Sequence, residues 1–84
     1  MNAIEHALIA LIAAKRGDGA GARGHISRAQ RHARANARRE RQVVEIAALV
    51  VDGDVERAAG LALEHLAEFP DDVDLLARVA DRGR

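Results

Sequence analysis

Residues 49–58 read LVVDGDVERA, and this stretch decides the fold. A run of aliphatic side chains ends at Gly53, which can adopt the left-handed conformation that closes a helix. Asp54 follows, and its carboxylate can accept a hydrogen bond from the first turn of a new helix. The same pair stands 36 residues earlier, at Gly17 and Asp18. Each pair separates two segments of helical periodicity, so we predict two helical hairpins.

The rest of the chain adds helices and no strands. It contains one proline and little of the β-branched alternation that marks a strand, whereas apolar residues recur at spacings of three and four. We therefore predict one all-α domain over residues 1–84, with about five helices in antiparallel hairpins. The predicted helices span about 2–16, 19–34, 37–51, 55–69 and 72–82, which gives repeat one (about 2–35), repeat two (about 37–70) and an unpaired capping helix.

Two of the helix boundaries depend on single residues. Asn36 is the predicted N-cap of the third helix, but no glycine or proline marks this junction, and one longer helix through it is an open alternative. Pro70 ends the fourth helix, because the residue before a proline disfavours helical backbone. Asp71 or Asp72 is then the predicted cap of the fifth helix.

The predicted core is rich in alanine. The third segment has almost no polar face in its second half and should lie between other helices, and the first should be largely buried. The predicted inward residues are Ile4, Leu8, Leu11 and Ile12, flanked by Ala7, Ala10 and Ala14; Ala22, Ile26, Ala29 and Ala33; Val43, Val44, Ile46, Ala47, Leu49, Val50 and Val51; Val55, Ala58, Ala59, Ala62, Leu66 and Phe69; and Val73, Leu76, Val79 and Ala80. Such a core buries little area, so we expect the chain to need a partner subunit or further repeats.

The second unit carries a family resemblance. From GDVERA at 53–58 to LAEFPDD at 66–72 it resembles a tetratricopeptide repeat, with Ala58 early in its second helix and Pro70 closing the unit. An internal period of 36 residues is typical of helical-hairpin solenoids, in which each hairpin covers a face of its neighbour.

A longer resemblance covers residues 3–76, which are similar to one stretch of bacterial relatives of tetratricopeptide repeat protein thirty-eight. The similar strings are RGDGAGAR at 16–23, ARRERQVVE at 37–45, LVVDGD at 49–54 and EHLAEFP at 64–70. The aromatic residues common in the wider family are absent at Leu49 and Val55. The resemblance implies a short α-solenoid, a detached piece of a longer array, whose concave face holds a protein or peptide. It implies no established chemistry.

The formal net charge of zero hides an asymmetry between the two halves. Residues 1–41 carry nine basic and three acidic side chains, a net of +6, and residues 42–84 carry four basic and ten acidic ones, a net of −6. We expect this asymmetry to act between the halves, or between neighbouring molecules stacked head to tail. It argues against a general nucleic-acid-binding or membrane-binding protein.

Location and assembly are inferred from the same composition. The apolar run 7–14 is too short to span a bilayer, and Glu5 and His6 stand where a signal peptide would be basic. We therefore expect a soluble cytoplasmic protein. Lys15 is the one lysine among 13 basic residues, and we take this composition as bacterial. The apolar third helix and the open side of the fifth predict a homodimer.

No pattern predicts a catalytic, cofactor-binding or metal-binding residue. No acidic or cysteine ligand completes a zinc set around the histidines, the glycines lack phosphate-loop spacing, and the aspartates suit a helix start better than calcium. These residues are His6, His25, His32 and His65; Gly17, Gly19, Gly21 and Gly24; and Asp71, Asp72 and Asp74. We interpret them as solvated or packing histidines, helix breakers and caps, and we expect a non-catalytic scaffold for protein–protein interaction.

The arginine-rich stretch 28–41 leaves one alternative function. Six arginines here can contact phosphates, as in a small nucleic-acid-binding helical protein. The scarcity of aromatic residues, the zero net charge and the lack of a groove-reading motif disfavour it. We prefer the interpretation that these arginines form a solvated helix face whose charge is balanced by the acidic half of the chain. An acidic protein partner is a further option. The six are Arg28, Arg31, Arg34, Arg38, Arg39 and Arg41.

Overall fold

The computed structural model describes residues 2–34 and 38–82, and the side chains of 2–31 and 38–80. The helices are α1 (Ala3–Lys15), α2 (Gly19–Arg34), α3 (Arg38–Val51), α4 (Val55–Glu68) and α5 (Val73–Arg82), with a 3₁₀ turn at Pro70–Asp72. These stretches contain no strand, which confirms the all-α class. The predicted cap Asn36 lies outside the described residues. α2 and α3 pack against each other, which one continuous helix through the junction would not allow.

Both Gly–Asp turns have the predicted geometry. Gly17 and Gly53 have φ angles of 84° and 82°. In each turn the amide of the aspartate donates to the carbonyl five residues earlier, at 2.9 Å, which is the bond that closes a helix at a left-handed glycine. The carboxylates of Asp18 and Asp54 then accept from the amide three residues further on, at 2.9 and 3.3 Å. One local device therefore ends a helix and starts the next in both hairpins.

The helices pack in an order that brings the last back to the first. α1 and α2 form one hairpin, α3 and α4 form the other, and α3 also lies against both helices of the first hairpin. The main contacts of α4 are with α3 and the 3₁₀ turn. α5 lies across α1 and α3, whereas a strictly serial stack would place it against α3 and α4. The fifth helix thus covers the side that α1 and α3 share.

Alanine dominates the buried surface of α1 and α2, which pack closely against each other. The fully buried residues of these two helices are Ala3, Ala7, Ala10, Leu11, Ala22 and Ala29. Ile4 and Leu8 are half-buried and pack at the edge of this core, and Ile12 is half-buried as well. Of the predicted inward residues of α1, Leu11 and the flanking Ala7 and Ala10 are fully buried, whereas Ile4, Leu8 and Ile12 are half-buried. Small side chains let the two helices come close, and dense packing then moves the bulky ones to the flanks.

The predicted inward stripe of α4 is rotated in a similar way. Ala58 and His65 are buried, while Val55 is 66% exposed and Ala59 is also exposed. Leu66 is half-buried. The apolar stripe omitted His65 because the residue is polar, yet this side chain points inward and sets the true face of the helix.

The predicted faces of the other three helices agree better with the structure. In α2, Ala22, Ile26 and Ala29 are buried, and the side chain of Ala33 lies outside the described part. α3 buries Val43, Val44, Ile46, Ala47 and Ala48, as expected for a helix covered on most sides. In α5, Leu76 and Val79 are buried, but Val73 is exposed, as is Ala80. Within the described ranges, no helix combines the length and apolar character that crossing a bilayer requires.

Candidate interaction surface and a buried polar network

Four polar side chains meet where α3, α4 and the 3₁₀ turn come together. His65 Nδ1 lies 2.6 Å from Gln42 Oε1, and His65 Nε2 lies 2.7 Å from Asp72 Oδ2. Arg39 binds the same carboxylate through two hydrogen bonds: Nε donates to Oδ2 at 2.8 Å and Nη2 donates to Oδ1 at 2.7 Å. We call this set, Arg39, Gln42, His65 and Asp72, the polar network. It joins three elements that are separate in the sequence.

The sequence around the proline positions Asp72. α4 ends at Glu68, and the amide of Phe69 donates to the carbonyl of His65 at 2.7 Å. Pro70 cannot continue the helix and starts the 3₁₀ turn. This turn brings the Asp72 carboxylate into contact with His65 of α4. The Phe69 ring lies against the imidazole of His65, with centroids 4.9 Å apart.

The charges in the polar network reinforce each other. Hydrogen bonds from Arg39 lower the pKa of Asp72 below the ordinary 3.8, against the opposing effect of burial, and His65 acts in the same direction as Arg39. The carboxylate in turn raises the pKa of Arg39. The Asp72 side chain is 7% exposed and that of Arg39 is 42% exposed, so a buried anion is neutralised by a cation that still reaches water.

Two hydrogen-bonding arrangements satisfy the imidazole of His65. In the neutral ring, Nε2–H donates to Asp72 and Nδ1 accepts from the amide group of Gln42. In the protonated ring both nitrogens donate, and Gln42 accepts through Oε1. Both arrangements use every polar atom of a side chain that has no exposed surface.

The imidazole at the centre of the polar network has no contact with solvent. A hydrogen-bonded His–Asp pair also occurs in enzymes that use histidine as a general base, but a general base must reach a proton on its substrate. His65 is fully buried, and both of its nitrogens are occupied. The expectation that Asp72 caps α5 is corrected, because its carboxylate binds Arg39 and His65 instead. In the sequence, His65 and Asp72 stand on either side of Pro70, which is the one hint of their contact. Nothing in the local sequence points to Arg39 or Gln42.

The arginine-rich stretch is partly neutralised by the chain itself. Arg38 Nε lies 2.9 Å from Glu68 Oε2, and Arg39 binds Asp72. Both pairs join the basic half to the acidic half, as the charge asymmetry predicts. Arg28, Arg31 and Arg41 are exposed, as is the paired Arg38, and the side chain of Arg34 lies outside the described part.

The other singled-out residues do not assemble into a site. The rings of His6 and His25 face each other across the α1–α2 seam, with centroids 5.8 Å apart, while the side chain of His32 lies outside the described part. Among the described residues, no group of three or more histidine, cysteine or acidic side chains is placed to hold a metal. Asp71 and Asp74 are exposed.

The outward side of α4 carries the most exposed large apolar side chain in the described part of the chain. Leu63 is 73% exposed and lies at its centre. Around it are Ala59, Gly60 and Ala67, all exposed, and exposed Glu56 and Glu64 flank them. We call these six residues the α4 outer face. Helix periodicity alone does not single it out, because it places Val55, Ala59 and Leu66 on one side of α4.

Comparison of the chain with protein-family models, curated proteins and solved structures gave no match.

Proposed function

We propose that this chain is a non-catalytic, tetratricopeptide-like helical-repeat scaffold that binds protein, including further copies of itself or of neighbouring repeats. Its setting is the bacterial cytoplasm. The two hairpins with identical Gly–Asp turns, and the contact of α3 with both helices of the first hairpin, support a repeat architecture. In such arrays each unit relies on a neighbour to cover a face that it cannot cover alone.

The exposed leucine on α4 is the observation that carries this proposal. A helix at the end of a stack has one side without a neighbour, and the α4 outer face fits that position. Large apolar side chains cost free energy when they stay in water, about 25 cal/mol for each Å². Leu63 at 73% exposure is therefore a residue that binding would bury, and its glutamate rim suits the edge of an interface.

Site-specific photo-crosslinking tests the proposal. Benzoylphenylalanine replaces Leu63 in one variant and exposed Ala77 of α5 in the control, and the intact chain is irradiated in cells. We expect protein adducts at position 63 and background at position 77. Adducts at neither position, or nucleic acid as the species captured at position 63, would contradict a protein-binding role for this face.

The nucleic-acid alternative rests on fewer side chains than the sequence suggested. Arg38 and Arg39 are paired with carboxylates of the same chain, so they have less charge to offer a phosphate. A mobility-shift assay at two salt concentrations separates the two functions, because each phosphate contact adds to the salt dependence of binding. We expect no shift at moderate salt.

A further inference from the structure

The outward side of α2 corresponds position by position to the α4 outer face. An offset of 36 residues, which superimposes the Gly–Asp turns, places Gly24 on Gly60, Ser27 on Leu63 and Arg28 on Glu64. All six are exposed, and an added Cβ at either glycine would meet nothing within 4 Å. Both helices therefore present an open, smooth strip at the same place in the repeat.

These two strips carry opposite charge. On α2, the exposed Ala20, Gly24 and Ser27 are surrounded by Arg23, Arg28 and Arg31, which we call the α2 outer face. On α4, the flanking charges are Glu56 and Glu64. No ion pair recorded among the described residues uses any of these five charges. Each face therefore presents exposed charge of one sign to an incoming molecule.

We propose that the α4 outer face of one molecule docks on the α2 outer face of a second copy, head to tail. This rests on the proposed function and names its partner. Leu63 of one copy packs over the small residues of α2, and the glutamates meet the arginines at the rim. A symmetric contact of two α4 faces, or of two α2 faces, would instead oppose like charges, which penalises wrong pairings.

The head-to-tail geometry has a consequence for assembly size. A contact between two different surfaces leaves one of each free in a pair, so assembly continues into a ring or a filament rather than stopping at two copies. We expect average mass to rise with concentration and to fall with added salt, since exposed charge pairs are screened.

Charge reversal of one face at a time tests this directly. One variant carries Arg28→Glu and Arg31→Glu, and the other carries Glu56→Arg and Glu64→Arg. All four positions are exposed, so folding should be retained, and circular dichroism checks this. The control variant, Glu45→Arg with Asp74→Arg, alters exposed carboxylates elsewhere and matches the second variant in net charge.

Sedimentation velocity over a concentration series gives the readout. We expect wild type and control to associate. Each reversed variant alone should associate at least about tenfold more weakly, and an equimolar mixture of the two reversed variants should regain association. The inference is overturned if wild type is monomeric throughout, if either variant alone associates like wild type, or if the mixture fails to recover. Should wild type be monomeric while position 63 crosslinks to a different protein, the proposed function stands and this inference falls.

Discussion

The two hairpins share one turn and are held together by different chemistry. In the first, α1 and α2 pack closely and bury alanines such as Ala7 and Ala29. In the second, α3 buries larger aliphatic side chains such as Val43, and the polar network around His65 joins α3, α4 and the 3₁₀ turn. The first seam depends on the absence of side-chain volume, and the second depends on complete hydrogen bonding.

This difference teaches where each hairpin is vulnerable. A seam of small residues has little room, so added volume should disrupt it while polarity changes at its rim should not. A buried polar network should tolerate neither the loss of a charge nor the loss of a partner, because an unpaired buried group keeps its full desolvation cost. Substitutions of matched chemistry in the two regions therefore separate the two modes of packing.

The largest expected effect is overpacking of the first seam. Ala7→Leu adds three carbons at a position with no exposed surface, and we expect a loss of about 3 kcal/mol in the free energy of unfolding. Ala77→Leu, on the exposed side of α5, is the control and should change it by less than about 0.5 kcal/mol. Urea denaturation followed by circular dichroism measures both. Equal stabilities would mean that α1 and α2 are not in close contact.

Removing the charge from the polar network should cost somewhat less. Asp72→Asn keeps the side-chain shape but leaves Arg39 and His65 without their anion. We expect a loss of about 2 kcal/mol at neutral pH, less than the roughly 3–5 kcal/mol for a fully buried pair, because Arg39 still reaches water. Asp74→Asn, at an exposed position on α5, should change stability by no more than about 0.5 kcal/mol.

The cost of Asp72→Asn should also depend on pH. Because the folded-state pKa of Asp72 lies below the ordinary 3.8, its contribution is fully present above that value and is lost as pH falls through the folded-state pKa. Arg39 and His65 are the charged or titratable groups that face it. The stability difference between wild type and variant should therefore narrow between about pH 5 and about pH 2. A constant difference would show that the carboxylate is not held charged by Arg39.

The smallest effects test what the two hairpins have in common. Gly17→Ala and Gly53→Ala force a Cβ into the left-handed region, and each should lose about 1 kcal/mol. Gly24→Ala and Gly60→Ala place a Cβ in open space within a helix, and each should gain about 0.5–1 kcal/mol. Thermal melts of the four variants at low concentration measure this, and a gain at Gly17 would contradict its turn geometry.

Local chemistry made the helix boundaries predictable from the sequence. A glycine that closes a helix, an aspartate that caps the next and a proline that ends α4 act within a few residues, and the structure has all three. The Arg39–Asp72 and Arg38–Glu68 pairs also agree with the charge asymmetry of the halves.

The inward faces were harder to predict because they depend on which helix lies next to which. Alanine fits both a buried seam and an exposed surface, so the periodicity of α1 places Ala7 only at the flank of a face that includes Ile12. In the structure Ala7 is fully buried and Ile12 is half-buried. The polar network draws one or two residues from each of three elements, and no spacing in the sequence connects Gln42 with His65. The fold-back of α5 onto α1 has no local signal either.

Single cysteines at equivalent repeat positions test the head-to-tail docking most directly. The chain has no cysteine of its own, so Leu63→Cys and Ser27→Cys each provide one reactive group, which a short bismaleimide can join only where two copies meet. The account predicts covalent dimers in an equimolar mixture of the two variants and background levels with either variant alone. Two results would contradict it: the Leu63→Cys variant alone forms as much covalent dimer as the mixture, or none of the three samples forms covalent dimer.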